Sequence, residues 1–144
     1  MATTYSLEIV TPEGLILNEE ITELSVMSES GEIGILANHA STKTKLKASP
    51  LKFKKTNGKT EVIAVIGGIL EVEKNKAVVL TEFAKKGSDI DEALANQAAE
   101  ESKAKIQLLS PDASKTDPSL ILAEAQLQKE LLLLKTARLT KNTI

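Results

Sequence analysis

The chain has 144 residues but no cysteine, a single histidine and a single arginine. Without cysteine it has no disulfide, no thiol nucleophile and no thiolate ligand for a metal. One histidine is too few for a histidine-rich metal site, so we expect neither a bound metal nor another cofactor. Arginine is the usual bidentate ligand of phosphate because its guanidinium is planar, and its scarcity argues against a protein that reads phosphate groups.

Aromatic residues are also scarce, with one tyrosine, two phenylalanines and no tryptophan. The chain therefore offers few surfaces on which nucleic-acid bases could stack. Its formal net charge of -2 provides no general attraction to nucleic acid or to an anionic membrane. The N-terminal residues lack the basic start and apolar segment of a secretion signal, and no apolar run reaches the roughly 18 residues of a membrane span. We expect a protein of a reducing compartment that neither binds nucleic acid nor inserts into a membrane.

The first half of the chain alternates apolar and polar residues, which is the period of strands with one buried face. The alternation begins at Tyr5 and continues, with turns between the runs, to about Lys86. Asn57-Gly58 lies between two such runs and is a strong hairpin signal, because both residue types tolerate positive φ. Lys74-Asn75-Lys76 marks another turn. Short strands with turns at this spacing predict an all-β sandwich or flattened barrel of about ten strands.

Two consecutive glycines, Gly67 and Gly68, lie between two of the predicted strands in the segment AVIGGILEV. Glycine in a strand allows another stretch of backbone to approach closely. We therefore expect a sharp bend or a bulge at this point of the sheet.

The second half changes to helix-forming residues, many of them alanine or leucine. Ser88 and Asp91 have the spacing of a capping box and predict a helix from Asp89 to about Leu109. Ser110-Pro111-Asp112 then interrupts the helical pattern.

A second helix is predicted to begin at Asp117-Pro118, with the aspartate as cap and the proline at the first helical position. It continues to about Lys141. The chain is therefore predicted to be an α+β protein, with a β-sandwich over residues 1–87 and a two-helix hairpin over residues 88–144.

The second helix is unusually rich in leucine. One apolar face at helical spacing contains Leu120, Ala123, Leu127, Leu131 and Leu134. However, residues 131–134 are four consecutive leucines, which at about 100° per residue cover most of the helix circumference. A single neighbouring helix leaves part of that surface uncovered. Two interpretations stay open: the hairpin packs on its own sandwich, or the helix has a second partner or a second docked position.

The only histidine, His39, lies in the segment GEIGILANHA together with Glu32. The two side chains are a candidate acid/base pair, but no nucleophile, metal cluster or oxyanion motif accompanies them. The glycines of this segment do not have the spacing of a phosphate-binding loop. We therefore expect no enzymatic activity. The alternatives are a free-standing β-sandwich binding module with a helical tail and, behind it, a small acid/base enzyme that uses Glu32 and His39.

Three segments resemble one family, the epsilon subunit of the F-type ATP synthase. LEIVTPEGLIL is similar to the family's first hairpin, with Thr-Pro between two strands. GEIGILANHA resembles the family's G-E-[LI]-G-[IV]-L-x-x-H-A, and AVIGGILEVEKNKAVVL resembles its A-V-x-G-G-[FI]-L-E-V run. The helical half matches in length and form, with much weaker residue identity.

The resemblance implies a non-catalytic subunit of the central stalk, which passes ion-driven rotation of the c-ring to the catalytic alpha/beta head where ATP is made. It implies the gamma subunit and the c-ring as partners, a peripheral position on the cytoplasmic face of a bacterial membrane, and a helical hairpin that restrains ATP hydrolysis. The residues implied in contact with the c-ring are Gly31, Glu32, Ile33 and His39. The helical residues implied in contact with gamma or the head are Leu131, Leu132, Leu133, Leu134 and Arg138.

Several members of the family bind ATP through an I-D-x-x-R-A motif at the start of the first helix. In this chain the matching residues include Ile90, Asp91 and Leu94, so leucine replaces the arginine. The positive charge that would meet phosphate is missing. The degenerate motif predicts weak ATP binding or none, and makes capping the expected role of Asp91.

Overall fold

The computed structural model describes residues 3–109 and 117–143. Within these residues the chain forms nine strands, one short 3-10 helix and two α-helices, which confirms the predicted sandwich followed by two helices. The strands are β1 (Tyr5–Thr11), β2 (Gly14–Ser28), β3 (Gly31–Leu36), β4 (Thr42–Leu46), β5 (Ser49–Lys55), β6 (Thr60–Val65), β7 (Gly68–Glu73), β8 (Lys76–Leu80) and β9 (Ala84–Lys86). A 3-10 turn (Gly87–Asp89) leads into α1 (Glu92–Leu109), and α2 spans Pro118–Thr143. The interruption predicted at Ser110-Pro111-Asp112 lies outside the described residues.

The strands form a flattened barrel in the order β1-β8-β7-β4-β2-β5-β6-β9, with β3 paired to β2. The barrel closes because β2 also pairs with β1. The β1–β8 pair is parallel, whereas the other strand pairs described are antiparallel. Alternation along a strand does not reveal strand direction, so the parallel pair has no signature in the sequence.

The apolar positions of the alternating strands meet between the two layers. Burial alternates strictly along β1, where Tyr5, Leu7 and Ile9 are buried and the residues between them are only partly covered. The largest fully buried side chain is Phe53 of β5. Apart from Tyr5, the remaining core is aliphatic, as expected of a chain with so few aromatic residues.

Strand β6 departs from alternation, because Val62, Ile63, Ala64 and Val65 are all buried. Ile63 and Val65 belong to the core of the sandwich, whereas Ala64 belongs to a second apolar cluster formed with the helices. Helix α2 lies against the outer face of β6. Both faces of this strand are therefore covered, which explains its continuous apolar run.

Each helix begins at an aspartate cap. The side chain of Asp91 accepts a hydrogen bond from the backbone N–H of Leu94, 3.2 Å away. Asp117 accepts one from the N–H of Ser119 at 2.9 Å, and Pro118 follows it as predicted. The predicted capping box at Ser88 is wrong, because the chain first makes a 3-10 turn and α1 starts only at Glu92. Within residues 3–109 and 117–143, no helix combines the length and apolar character needed to cross a bilayer.

The four consecutive leucines of α2 are covered by more than one neighbour. Leu132, Leu133 and Leu134 are buried, with 7%, 7% and 5% of their surface exposed, whereas Leu131 is 39% exposed. Helix α1 lies on one side of α2, and the outer face of β5 and β6 lies on the other. The first interpretation therefore describes this structure: the helices pack on their own sandwich.

Two hairpins lie at turns that the sequence predicts, but their turn geometries differ. Asn57-Gly58 lies at the tip of the β5–β6 hairpin as predicted, but only Gly58 of the two has positive φ (85°), and the loop spans residues 56–59. The two-residue turn is instead Lys74-Asn75 between β7 and β8, where φ is 49° and 59°. This geometry is that of a type I′ turn, which matches the twist of the strands it joins.

Gly68 is where the expected close approach of backbones occurs. Its φ is 119°, and a Cβ atom at this position would lie 2.1 Å from the carbonyl oxygen of Leu80. Both the dihedral angle and the contact exclude a side chain. At Gly87 the constraint is the contact alone, since a Cβ there would clash with the side chain of Thr140 on α2.

We predict that Gly68→Ala lowers the free energy of unfolding by about 2–4 kcal/mol, because it adds backbone strain to a clash with fixed backbone. Urea denaturation followed by circular dichroism measures the change. Gly34→Ala is the matched control, since a Cβ there meets no atom within 4 Å. Equal stability of the two variants would contradict this explanation of the double glycine.

Candidate functional site

Strand β3 places the first group of predicted contact residues. It forms a hairpin with β2, in which Glu32 is opposite Met27 and Gly31 is opposite Ser28. Ile33 is partly buried against the core, and Glu32 is exposed on the outer face. The hydroxyl of Ser25 donates a hydrogen bond to Glu32 Oε1 at 2.8 Å. The carboxylate is thereby held on the surface of the sheet, while the isoleucine anchors the strand.

Glu32 also lines a groove of about 250 Å³ between the sheet and helix α2. Lys52 of β5 contributes to one wall, and Lys135 and Leu139 of α2 contribute to another. The groove thus combines one carboxylate with two lysine side chains. Helix α2 therefore borders Glu32, one of the residues that the family resemblance implies in contact with the c-ring.

His39 lies beyond the other end of β3, in the loop of residues 37–41. Leu36 lies four positions after Glu32 along the extended strand, which is a distance of about 13 Å. His39 Nδ1 lies 2.8 Å from the carbonyl oxygen of Ala40, to which it donates when that nitrogen is protonated. The structure therefore does not bring Glu32 and His39 together as an acid/base pair, and each side chain has its own local partner.

The loop that carries His39 is tied to the β7–β8 turn by an interaction that the sequence analysis missed. The backbone N–H of Asn38 donates to Asn75 Oδ1 at 2.7 Å, and Asn75 Nδ2 donates to Asn38 Oδ1 at 3.0 Å. We call this pair the asparagine clamp. The turn signal at Lys74-Asn75-Lys76 was visible, but its partner is 37 residues away and no local pattern predicts it.

Tyr5 reinforces the same end of the sandwich. Its hydroxyl donates a hydrogen bond of 2.5 Å to the carbonyl oxygen of Ile35, near the end of β3. Burial, together with the nearby charge of Glu23, raises the pKa of the Tyr5 hydroxyl well above its usual value. The phenol therefore remains a donor at all physiological pH values.

The predicted helical contact residues fall into two environments. Leu132, Leu133 and Leu134 are buried within the chain, whereas Leu131 lines an open groove with Pro50 and Ile66. The fifth residue, Arg138, is exposed and forms an ion pair with Glu92 at 3.3 Å.

Glu92 joins the start of α1 to the end of α2, since it pairs with Lys141 as well as with Arg138. Hydrogen bonds from Lys141 and Arg138 hold the pKa of Glu92 below its usual value. A carboxyl with a depressed pKa stabilises the folded form at neutral pH, and this contribution is lost as the pH falls through that pKa. We call these three residues the Glu92 clasp.

The degenerate nucleotide motif has a structural role here. Asp91 caps α1, Ile90 packs against the apolar cluster between the helices and the sheet, and Leu94 is 63% exposed. A carboxylate and an exposed leucine do not provide the positive charge that a triphosphate needs.

The β-strand half of the chain matches a family model. Residues 4–87 match the description "ATP synthase, Delta/Epsilon chain, beta-sandwich domain". The chain belongs to the ATP synthase epsilon family. As a member it is a non-catalytic subunit of the synthase complex, so the acid/base enzyme alternative is wrong.

Bacterial members of the epsilon family match both halves of the chain. The ATP synthase epsilon chain of Bacillus licheniformis is 36% identical over 135 residues, which covers 94% of this chain and 98% of that protein. The epsilon chain of Carboxydothermus hydrogenoformans is 40% identical over 111 residues, covering 77% of this chain and 82% of that protein. The match therefore extends beyond the sandwich into the helices.

A solved structure supports the same assignment. A chain of the Euglena gracilis mitochondrial ATP synthase, solved with its c-ring, aligns with a TM-score of 0.73 and 25% identity, covering 94% of this chain and 81% of that one. A chain from the central stalk and c-ring of the Tetrahymena thermophila mitochondrial synthase shares the fold, with a TM-score of 0.53, 14% identity, and coverage of 92% and 95%.

We predict that the isolated protein shows no saturable ATP binding below about 1 mM. Leu94→Arg should strengthen ATP binding, because it restores a phosphate ligand beside Asp91. Isothermal titration calorimetry measures both. Leu108→Arg is the matched control, since Leu108 is 82% exposed near the far end of the same helix. Submillimolar binding by the wild-type chain would contradict the prediction.

Proposed function

We propose that this epsilon-family chain joins the central stalk to the c-ring and passes c-ring rotation towards the catalytic head. The observation that carries the proposal is the match over 94% of the chain to a bacterial epsilon chain, sandwich and helices together. A related chain in a synthase solved with its c-ring adds support. Because these matches span nearly the whole chain, they provide no support for the alternative of a free-standing binding module.

We assign the c-ring contact to Gly31, Glu32, Ile33 and the loop that carries His39. Ile33 holds β3 to the core and Ser25 orients the carboxylate of Glu32, so the strand presents its charge in a fixed direction. Polar contacts of this kind set the register between two surfaces without requiring deep burial.

We assign the regulatory role to the helices after residue 87, with gamma and the alpha/beta head as the partners of α2. Leu132, Leu133 and Leu134 are buried against the chain itself, so they reach another subunit only when α2 leaves the sheet. The Glu92 clasp and the docking of α2 on β6 favour the closed form seen here. Restraint of ATP hydrolysis would then belong to the open form.

The bacterial relatives also favour a peripheral position on the cytoplasmic face of a bacterial membrane, as part of the synthase complex. The exposed Glu32 and the partly exposed His39 would then meet polar loops of the c-ring rather than lipid.

We predict that Glu92→Lys opens the hairpin and lowers ATP hydrolysis more than ATP synthesis in the reconstituted synthase. The reversed charge repels Arg138 and Lys141 at the point where α2 meets α1. Because the clasp is exposed, the effect should be partial, less than about tenfold. Lys141→Glu in the same chain should partly restore hydrolysis.

The matched control for this experiment is Glu100→Lys, because Glu100 pairs locally with Lys103, three residues further along α1, and forms no other ion pair within the described residues. Comparable loss of hydrolysis in Glu92→Lys and Glu100→Lys, or equal loss of both activities in Glu92→Lys, would refute the regulatory role of the clasp.

We further predict that Glu32→Ala loosens coupling and that Glu32→Lys loosens it more, because the lysine reverses the charge presented to the c-ring. His39→Ala should have a smaller effect, since a neutral imidazole offers one donor and one acceptor. The measurement is the number of ions pumped per ATP hydrolysed. Wild-type coupling in all three variants would show that these polar groups serve only the fold of the sandwich.

A further inference from the structure

The loop of residues 37–41 lacks the support of the ladder on either side of it. The β2–β3 ladder ends at the Glu23–Leu36 pair, and the β4–β7 ladder begins at the Thr42–Val72 pair. Backbone groups between these points need other partners if the loop is to hold one conformation. This loop carries His39.

The asparagine clamp provides such partners. Asn38 has φ of 63°, in the left-handed region that few residue types adopt. Its N–H and its side-chain oxygen both bond to the amide of Asn75, at 2.7 Å and 3.0 Å. The side chain of Asn75 therefore gives the loop one hydrogen-bond acceptor and one donor, as the backbone of a neighbouring strand would.

Asn75 is itself held firmly. It occupies the second position of the type I′ turn, with φ of 59°, directly before Lys76 at the start of β8. Its carbonyl oxygen accepts a hydrogen bond from the N–H of Ser6 at 3.2 Å, which ties the turn to β1. Asparagine combines tolerance of this backbone conformation with an amide that is both donor and acceptor. One residue thus connects β1, the β7–β8 turn and the loop of His39.

We propose that Asn75 is a positioning residue for His39, which fixes the loop of residues 37–41 in the conformation that meets the c-ring. The inference rests on the proposed c-ring contact and adds the residue that orients it. The bond from His39 to the carbonyl of Ala40, and that from the Thr42 hydroxyl to the same carbonyl at 3.0 Å, both depend on the loop being folded in this way. A preorganised loop meets its partner without an ordering cost.

The test uses Asn75→Gly, because glycine keeps the left-handed backbone and removes both amide bonds of the clamp. Asn57→Gly is the matched control: Asn57 also accepts a backbone hydrogen bond in a hairpin loop, from the N–H of Lys59 at 2.9 Å, but in the β5–β6 hairpin. Asn75→Asp is the conservative variant, since it keeps the acceptor for the Asn38 N–H and loses the donor.

The first measurement is amide hydrogen exchange at Asn38 by NMR in the full chain. We expect at least about tenfold faster exchange in Asn75→Gly, an intermediate rate in Asn75→Asp and no change in Asn57→Gly. Unchanged exchange at Asn38 in Asn75→Gly would overturn the proposal. The urea midpoint of each variant shows whether the sandwich is otherwise intact.

The second measurement is ions pumped per ATP hydrolysed by the assembled synthase. Asn75→Gly should loosen coupling about as much as His39→Ala, and the double variant should loosen it no further, because both changes act on one contact. If His39→Ala loosens coupling and Asn75→Gly does not, the positioning role is wrong while the c-ring contact stands. If His39→Ala couples normally, the contact of His39 with the c-ring fails, and the positioning role with it.

Discussion

The hydrogen-bond ladder of β2 is the interaction on which the rest of the structure depends. Its 15 residues pair with β1 in the first half and with β5 and β3 further along, and its last residue, Ser28, pairs with Leu46 of β4. A register shift between Ile21 and Glu23 in the pairing with β5 accompanies this change of partners. Because one strand belongs to both layers, the sheet closes into a flattened barrel with its apolar side chains inside.

The candidate contact surface follows from that arrangement. β3 is the hairpin partner of the second half of β2, so Glu32 lies on the outer face and His39 lies beyond the far end of the strand. Ala64 on the outer face of the neighbouring strand β6 belongs to the apolar cluster that holds α2, and α2 also contacts β5. One layer of the barrel thus carries both the proposed c-ring contact and the docked helix, with a shared groove between them.

Much of the fold and some of the site could be predicted from local patterns. The alternation of apolar and polar residues predicted the strands, and Asp117-Pro118 predicted the start of α2. The double glycine predicted a close approach of backbones, which occurs between Gly68 and Leu80. The expected cap at Ser88 failed because the chain inserts a 3-10 turn before α1, and a turn of three residues leaves almost no periodic signal. The consecutive leucines of α2 were compatible with packing on the chain's own sandwich or on an outside partner, and in the structure the sheet beside them provides the second surface.

The sequence by itself determined the period of each half, the residues that face the core and the motifs that identify the family, since all of these depend on neighbours within a few positions. Only the tertiary structure decided that Glu32 and His39 lie apart, that Asn38 pairs with Asn75, and that Glu92 joins the ends of the two helices. The asparagine clamp and the Glu92 clasp join residues 37 to 49 positions apart. Their distances are set by the path of the chain around the barrel and along the helices, and not by local propensity.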